Sequence, residues 1–375
     1  MKRILRNTLL LLAVVVACFA QHPSAASMAV VADSLAQGPS SDSLTIAFYN
    51  LENLFDTVDT PGVRDREFTP RGAKRWTSER YERKLAGIGR VLSDLAAAEG
   101  GFPAVIGVAE VENRTVMEAL AAQSALAPAR YRVVHFDSPD PRGIDVGFLY
   151  RPDRFELKGC AAVRVALPEA PDFRTRDLVT MWGVINAQPF FFLVCHWPSR
   201  VDRRGDSSHR RLAAAREVRR VVDSVLTADP DMRVVVMGDL NDDPVDRSVT
   251  EGLGTTGRME TLGNGTLFNP FEALYLAGYG SLAYRGEWNL FDQILVSRPL
   301  TTSEPGTLHI VPVGGTEFYG GIFCRPCLLQ TEGHFRGYPF RTYAGDEYLG
   351  GVSDHLPVYI RLERASAAGT CAEPE

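Results

Sequence analysis

The segment Gly351-Val-Ser353-Asp354-His355-Leu-Pro357-Val-Tyr-Ile360 places an Asp-His pair directly before an apolar run that is typical of a buried strand. A carboxylate that can bind a metal ion therefore adjoins an imidazole that can titrate near neutral pH. Polar residues follow apolar runs at several upstream positions: Asn50, Glu110, His196, and Asp239 with Asn241. Because these positions all lie at strand ends, the sequence predicts one site at the rim of a β-sheet.

These segments, taken in order, resemble the successive motifs of the endonuclease/exonuclease/phosphatase superfamily, metal-dependent phosphoesterases with the fold of pancreatic-type deoxyribonuclease. The resemblance extends over residues 43 to 364. Gly-Asp-Leu-Asn or Ser-Asp-His alone is a weak signal, whereas the complete ordered set is a strong one. The resemblance implies an α/β fold, a four-layer α/β sandwich in which two packed mixed β-sheets are flanked by helices. It also implies a divalent cation and phosphate-ester hydrolysis.

Periodicity independently indicates a mixed α/β chain. Apolar residues recur at helical spacing in 78–98 and again between Leu212 and Val225, which predicts two amphipathic helices. Several strand candidates are nearly continuous apolar runs, as expected for strands that are buried on both faces. The strand candidates are 44–50, 104–110, 131–136, 144–150, 178–187, 189–196, 232–238, 292–297 and 356–362.

The composition, 45% hydrophobic and 23% charged, is that of a globular protein with a large core. No Pro/Gly/Ser-rich linker interrupts the span between Asn50 and His355, so we expect one catalytic domain over 43–364. Residues 21–42 are interpreted as a spacer and 365–375 as a C-terminal tail. We expect a monomer.

Residues 1–20 have the pattern of a signal peptide, because three basic residues precede an apolar stretch, 9–17, that is too short to span a bilayer. Export to a periplasmic, outer-membrane-anchored or extracellular location is expected. Val15-Val-Ala-Cys18 also resembles a lipoprotein processing box, in which a lipidated Cys18 would tether the chain to a membrane. Simple cleavage after Ala20, or further along near Ala25-Ala26, is the alternative.

The pair Cys324-Arg-Pro-Cys327 lies in a chain that we expect to enter an oxidising compartment, where disulfides are permitted. A structural zinc site needs further ligands and no second Cys-x-x-Cys follows. We therefore predict a local disulfide.

Glu110 is the best candidate for a metal ligand, because a carboxylate at the end of a hydrophobic strand is costly unless it is paired or metal-bound. An ion pair with an arginine is the alternative. Asn50 would add an amide oxygen or orient metal-bound water, and by the resemblance Asp354 lies on the metal side of the Ser-Asp-His motif. Such oxygen ligands suit Mg²⁺ or Mn²⁺, and Ca²⁺ is also compatible.

Asp239 and Asn241 follow Gly238, where the backbone can turn sharply at the mouth of a strand. The resemblance implies that Asp239 orients or deprotonates the attacking water and that Asn241 holds the water or a phosphate oxygen. An ordinary Asx-turn is the alternative.

The resemblance implies that His355 contacts the scissile phosphate and that Asp292 accepts its hydrogen bond, raising its pKa and fixing its tautomer. His196 matches a second histidine, which protonates the leaving oxygen or binds phosphate. A structural histidine is the alternative.

Charge gives the remaining information about substrate. The chain carries −6 net charge, and loss of Lys2, Arg3 and Arg6 with the leader would make it −9, which opposes non-specific attraction to DNA. Residues 200–220, however, contain eight arginines against three acids. We predict that five of them form a track for a nucleic-acid backbone, while a solvated helix face is the alternative. These five are Arg200, Arg203, Arg204, Arg210 and Arg211.

We therefore predict an exported, metal-dependent phosphodiesterase, an endonuclease with nucleic acid as its substrate. The alternative is a phosphatase or sphingomyelinase-like hydrolase that acts on a small or lipid phosphate ester.

Overall fold

The computed structural model describes residues 43–166, 170, 172–200 and 206–366. The strands are β1 Ser43–Leu54, β2 Val105–Val111, β3 Arg132–His135, β4 Asp145–Tyr150, β5 Glu156–Val163, β6 Leu178–Ile185, β7 Gln188–His196, β8 Arg233–Asp239, β9 Thr255–Thr256, β10 Leu267–Phe268, β11 Leu282–Tyr284, β12 Glu287–Asn289, β13 Asp292–Ser297, β14 Leu308–Val311, β15 Gly321–Ile322, β16 Tyr343–Ala344, β17 Glu347–Tyr348 and β18 Val358–Arg364. The helices are α1 Ser78–Ala98, α2 Arg114–Ala121, α3 Ser208–Ala228 and α4 Phe271–Leu276, with a π-helix at Ser248–Gly254 and short 3-10 turns elsewhere.

Two seven-stranded sheets contain the longer strands. One has the order β14-β18-β1-β2-β4-β3, with β15 also paired to β18, and the other has the order β5-β6-β7-β8-β13-β10-β9. The pairs β1–β2 and β7–β8 are parallel, and most other pairs are antiparallel, so both sheets are mixed. The prediction of two mixed β-sheets is confirmed.

The two sheets pack face to face around a single apolar core. Gly107 of β2 lies so close to the other sheet that a Cβ there would come within 2.7 Å of Met237 Sδ and 3.1 Å of Val194. A larger residue at this position would force the sheets apart.

Helices cover the outer faces and complete four layers. α1 buries Leu85, Ile88, Leu92 and Leu95, and α3 buries one face that includes Val222. Both predicted helices are confirmed, and α3 begins a few residues before the first apolar residue of its pattern. Within the described ranges, no helix is both long and apolar enough to cross a membrane.

All nine strand candidates are strands in the structure, with shifts of a few residues at their ends. The largest shift is in β1, which continues to Leu54, four residues beyond the predicted end. The predicted disulfide is wrong, because Cys324 and Cys327 are unpaired thiols. The leader, the spacer and Cys18 lie outside the described residues.

Strand register brings the polar strand ends together. Asn50 pairs with Ala109, the neighbour of Glu110, while Asp239 pairs with both His196 and Asp292. Because the same ends of β1, β2, β7 and β8 face one edge of the sandwich, the motifs meet there.

A second, smaller apolar cluster forms one wall beside this edge. It contains Phe55, Phe68, Trp76, Ile144 and Tyr343. These residues come from the segment that follows β1, from the position before β4 and from β16. This wall therefore has its own small hydrophobic core, separate from the core between the two sheets.

Candidate active site

His355 and Asp292 form a buried, hydrogen-bonded pair. His355 Nδ1 lies 2.7 Å from Asp292 Oδ2, which also accepts a hydrogen bond from the Ser281 hydroxyl. Burial alone would lower the pKa of His355, but the charge and hydrogen bond of Asp292, with the charges of Asp239 and Asp354, raise it well above the usual value. The ring is therefore held as an imidazolium in a fixed orientation.

Asp239 accepts two hydrogen bonds and lies close to two histidines. Its Oδ1 accepts from the Asn241 backbone N–H at 2.9 Å, and its Oδ2 accepts from Asn50 Nδ2 at 3.0 Å. His196 Nε2 and His355 Nε2 lie 3.4 Å and 3.9 Å from the same Oδ2. Burial raises the pKa of Asp239 to about 7, although the His355 charge opposes the shift. This carboxylate can therefore gain and lose a proton near neutral pH.

His196 is buried between the two sheets' polar ends. Burial, with the positive charges of Arg176, Arg142 and His355, lowers its pKa well below the usual value. The two histidines at this edge thus differ in charge, one neutral and one cationic.

Asn241 has φ +50°, the left-handed conformation that Asn tolerates better than most residues. Its Nδ2 donates to the Trp197 carbonyl at 3.1 Å, which fixes the orientation of the amide.

Glu110 also has positive φ, +59°. Its Oε2 accepts from the Asn53 backbone N–H at 2.9 Å and lies 3.7 Å from the Arg142 guanidinium. Among the described residues its Oε1 accepts no hydrogen bond, and His196 Nε2 lies 3.8 Å from that oxygen. The carboxylate is held in place with one oxygen available for a ligand.

The other two predicted metal ligands differ in how open they are. Asp354 is partly exposed, with Oδ1 4.0 Å from His355 Nε2 and Oδ2 3.4 Å from Arg341. Asn50 donates to Asp239 and accepts from the Glu52 backbone N–H at 2.9 Å, so both ends of its amide have protein partners. Asn50 therefore positions Asp239 more directly than it offers a ligand atom.

The acidic residues present fit a divalent cation. Mg²⁺ keeps several waters and commonly takes one or two carboxylates, which Glu110 and Asp354 can supply. Three ligand atoms also come within 4.8 Å of one another in the group Asp239, Asp292 and His355. There the His355 Nδ1 already lies 2.7 Å from Asp292 Oδ2, so this group is less available to a cation than Glu110 and Asp354.

Two buried charged residues at the site were missed in the sequence. Glu52, φ +46°, accepts from the backbone N–H groups of Thr342 at 2.6 Å and Tyr343 at 3.2 Å. Lys84 donates to the Glu52 carbonyl and, at 2.6 Å, to the Thr342 hydroxyl. Burial, followed by the Asp354 charge, raises the pKa of Glu52 to about 7, while Lys84 opposes the shift. The pair joins β1, α1 and the loop that carries Arg341.

Both missed residues had a signal in the sequence. Glu52 follows Asn50 by two positions, and Lys84 falls on the apolar stripe of α1 together with Leu85 and Ile88. A lysine on an apolar stripe needs a buried partner.

A cleft of ≈ 310 Å³ opens over these groups. Its lining includes Glu110, Asp354 and His355, and three cations that come from separate loops, Lys74, Arg142 and Arg341. Arg142 donates to the Asn53 amide oxygen, and Lys74 Nζ lies 2.9 Å from Asp346 Oδ1. The three cations therefore share the lining of the cleft with four carboxylates, those of Glu52, Glu67, Glu110 and Asp354.

The described arginines of the predicted track have partners within the protein. Arg200 contacts Asp242, Asp243 and Asp246 at 3.1, 3.0 and 2.5 Å. Arg211 is buried, with Nε 2.8 Å from Asp242 Oδ2. Both hold the loop after Asn241 in place, and these contacts weigh against their assignment to substrate binding. Arg210 lies over the Phe173 ring, and Arg203 and Arg204 lie outside the described residues.

Comparison with known proteins agrees with this architecture. The sequence profile described as "Endonuclease/Exonuclease/phosphatase family" matches residues 45–364. No curated protein sequence matches the chain.

Solved structures with the same fold include a humanized TDP2 from D. rerio, with TM-score 0.52 and 15% identity over 86% of this chain and 100% of that one. A mannosyl-6-phosphatase from Bacteroides thetaiotaomicron gives 0.51 and 16%, over 85% and 99% of the two chains. An endonuclease/exonuclease/phosphatase family protein from the same species gives 0.50 and 18%, over 86% and 98%. The chain belongs to the endonuclease/exonuclease/phosphatase family, whose members are phosphoric ester hydrolases that use divalent metals.

Proposed function

We propose that this hydrolase cleaves phosphodiester bonds in nucleic acid and that it requires Mg²⁺ or Mn²⁺. The observation that carries the proposal is that Asp239 and the His355–Asp292 pair adjoin a cleft whose lining includes His355 and the carboxylates of Glu110 and Asp354. A cation bound by the last two would withdraw charge from a phosphoryl oxygen.

Asp239 is assigned the task of taking a proton from the attacking water. A general base works best when its pKa is close to the working pH, and burial raises the pKa of Asp239 to about 7. Its two hydrogen-bond donors, the Asn241 backbone N–H and Asn50 Nδ2, keep the carboxylate in one orientation. Asn241, whose amide nitrogen is held by Trp197, would hold the water or a phosphate oxygen.

His355 is assigned the opposite task. Its Nδ1 is bound to Asp292, so the Nε2–H of the charged ring remains to neutralise phosphate charge and to donate a proton to the leaving oxygen. His196, held neutral by burial, is a weak proton donor, and we assign it to orienting Asp239 from 3.4 Å.

Nucleic acid is favoured as the substrate by the positions of Arg142, Arg341 and Lys74. These cations lie around one cleft although they come from three loops, and contacts to neighbouring phosphates position a polynucleotide. One D. rerio TDP2 structure contains a single-strand DNA product, and another neighbour is a mannosyl-6-phosphatase. At these identities the likeness shows the fold alone, so the choice rests on the cleft.

A small phosphate ester is the second candidate, because the cleft of ≈ 310 Å³ has the size of a small-molecule pocket. The test is a panel of plasmid DNA, RNA, sphingomyelin, inositol phosphates and mannose 6-phosphate, with added metal and with chelator. Asp239→Asn serves as the control for contaminating enzymes. Metal-dependent cleavage of nucleic acid supports the proposal. Hydrolysis of the small esters alone would establish the second candidate.

Export, with a lipid tether at Cys18, completes the proposal and rests on the sequence of the leader. Mass spectrometry of the chain purified from membranes would identify its first residue. A diacylated Cys18 at the N-terminus is the expected result, and an unmodified N-terminus further along the chain would refute the tether.

A further inference from the structure

A row of aromatic rings leads from the surface to the active site. The centroids of Trp288 and Tyr338 are 6.4 Å apart, those of Tyr338 and Phe335 are 6.1 Å apart, and those of Phe335 and His334 are 5.0 Å apart. The Arg341 guanidinium lies 5.1 Å from the Phe335 ring and contacts Asp354 at 3.4 Å. We call Trp288, His334, Phe335 and Tyr338 the aromatic row.

The aromatic row is joined to the catalytic residues by hydrogen bonds. Trp288 lies on the β11–β12 hairpin, where Leu282 forms a bridge with His355 and Ser281 donates to Asp292. The Tyr338 hydroxyl accepts from the Gly286 backbone N–H at 2.7 Å, which ties the second segment of the row to the same hairpin. The rings therefore keep a fixed position relative to the reacting groups.

Trp288 is the exposed tryptophan of this chain. It is 38% exposed, whereas Trp76, Trp182 and Trp197 are buried. Its neighbours His334, Phe335 and Tyr338 are also partly or fully exposed. Tyr284 is comparably exposed on the same hairpin, but it pairs with Glu287 and so points to the opposite face from Trp288.

Positive charge accompanies the rings. The segment 334–341 contains Arg336 and Arg341 and no acidic residue. Aromatic faces with interspersed arginines suit unpaired bases, which stack on rings while the backbone meets the cations. The bases of a duplex are stacked on each other and cannot do so.

We propose that the aromatic row binds the bases of single-stranded nucleic acid beside the scissile phosphate. This inference rests on the proposed function and specifies its substrate as a single strand. Trp288 and Phe335 would be specificity-determining residues that act on binding, with no part in the chemistry.

Binding can be measured apart from cleavage by tryptophan fluorescence in the Asp239→Asn variant. The probe is an oligothymidylate of twelve nucleotides. Because the other three tryptophans are buried, we expect saturable quenching that disappears when Trp288→Phe is added. Quenching that persists in that double variant would overturn the assignment of Trp288.

Kinetics provide the second test. We expect Trp288→Ala and Phe335→Ala each to lower the ratio of kcat/KM for a single-stranded oligonucleotide to kcat/KM for bis(4-nitrophenyl) phosphate by about tenfold, the scale of one lost base stack. Most of the change should be in KM. Trp288→Phe, which keeps an aromatic ring, should retain most of the wild-type ratio. Tyr284→Ala, on the opposite face, is the matched control and should keep the wild-type ratio.

The outcomes separate the two proposals. If no nucleic acid is cleaved but quenching depends on Trp288, the proposed function fails and the binding surface stands. If single strands are cleaved and the ratio is unchanged in both alanine variants, the aromatic row is not a binding surface. An equal fall in Tyr284→Ala would show that the hairpin itself is disturbed and would also overturn the inference.

Discussion

The arginines before and within α3 and the cations of the cleft lie at the same edge of the molecule, but they contact different groups. Arg200 and Arg211 make charged contacts of 2.5 to 3.1 Å with the aspartates that follow Asn241. Arg142 and Arg341 lie farther from their carboxylates, at 3.7 Å from Glu110 and 3.4 Å from Asp354. The first pair closes an internal ion-pair network, and the second pair borders the substrate cleft.

This difference shows that a run of basic residues in a sequence does not measure the charge available to a substrate. The aspartates 242, 243 and 246 lie more than forty residues after Arg200, and folding places them against it. Arg142 and Arg341, isolated in sequence, reach the cleft from separate loops. Four experiments with single-residue variants can test this contrast between an internal ion-pair network and an open cleft.

Loss of the carboxylate opposite Arg142 should have the largest effect. Glu110→Gln removes the oxygen that we assign to the cation, and we expect kcat/KM to fall by about 100-fold or more, the scale of a lost electrostatic group in a transition state. The measurement is a rate against added Mg²⁺ and Mn²⁺. Glu251→Gln, which changes a surface partner of Arg247, is the control. Full wild-type activity in excess chelator would contradict the metal assignment.

Asp292→Asn should lower the rate and shift its dependence on pH. Asp292 raises the pKa of His355, so the variant histidine should lose its proton at a lower pH. Activity that needs the charged ring is present below that pKa and lost above it, so the alkaline limb of the pH–rate profile should move to lower pH. General acid–base groups contribute about 10²-fold or more. An unchanged profile and rate would make Asp292 a structural residue only.

Arg211→Ala should act on stability. Arg211 and Asp242 are both buried, and the variant removes one partner of the Asp242 carboxylate while Arg200 and the Ser248 hydroxyl remain. The loss of this charged hydrogen bond should cost about 1.5–3 kcal/mol of the free energy of unfolding. Urea unfolding of the purified variant measures this loss. Arg247→Ala, which breaks the exposed ion pair with Glu251, is the control and should leave the unfolding midpoint unchanged. Wild-type stability of the Arg211 variant would mean that its ion pair with Asp242 does not stabilise the fold.

The sequence predicted those parts of the fold that depend on periodic burial. α1 and the long inner strands, such as β7 and β8, have continuous or regularly spaced apolar residues. β5 was missed because its residues alternate between exposed and half-buried at a sheet edge, where no apolar run is required. β14 is only four residues long. Asp239, Asp292 and His355 were predicted together because each adjoins such a strand.

The surroundings of these residues depend on tertiary contacts that no local pattern encodes. Four of the nine described non-glycine residues with positive φ, Glu52, Asn53, Glu110 and Asn241, lie at the site. Such backbone conformations persist only when surrounding contacts hold them, here the hydrogen bonds from the 342–343 backbone and from Asn53. The loops that carry Arg142 and Arg341 have no periodicity at all, so their approach to the cleft could not be predicted.

The smallest effect that we predict is a difference in KM and in its salt dependence between Arg142→Gln and Arg200→Gln on a nucleic-acid substrate. If Arg142 contacts a phosphate, its loss should raise KM and reduce the slope of log KM against log salt by about one unit, because one fewer counterion is released on binding. Arg200→Gln should leave that slope unchanged, since the guanidinium already has three carboxylate partners. Both variants are compared after circular dichroism confirms folding.

The separation of KM from kcat decides what Arg142 does. Arg142 lies near Glu110 as well as near the cleft, so its loss can also alter the carboxylate. A fall in kcat at constant salt slope would place its role on Glu110 and remove it from the substrate surface. Equal salt slopes in the Arg142 and Arg200 variants would mean that distance to a carboxylate does not distinguish the two groups of arginines, and the contrast between network and cleft would be wrong.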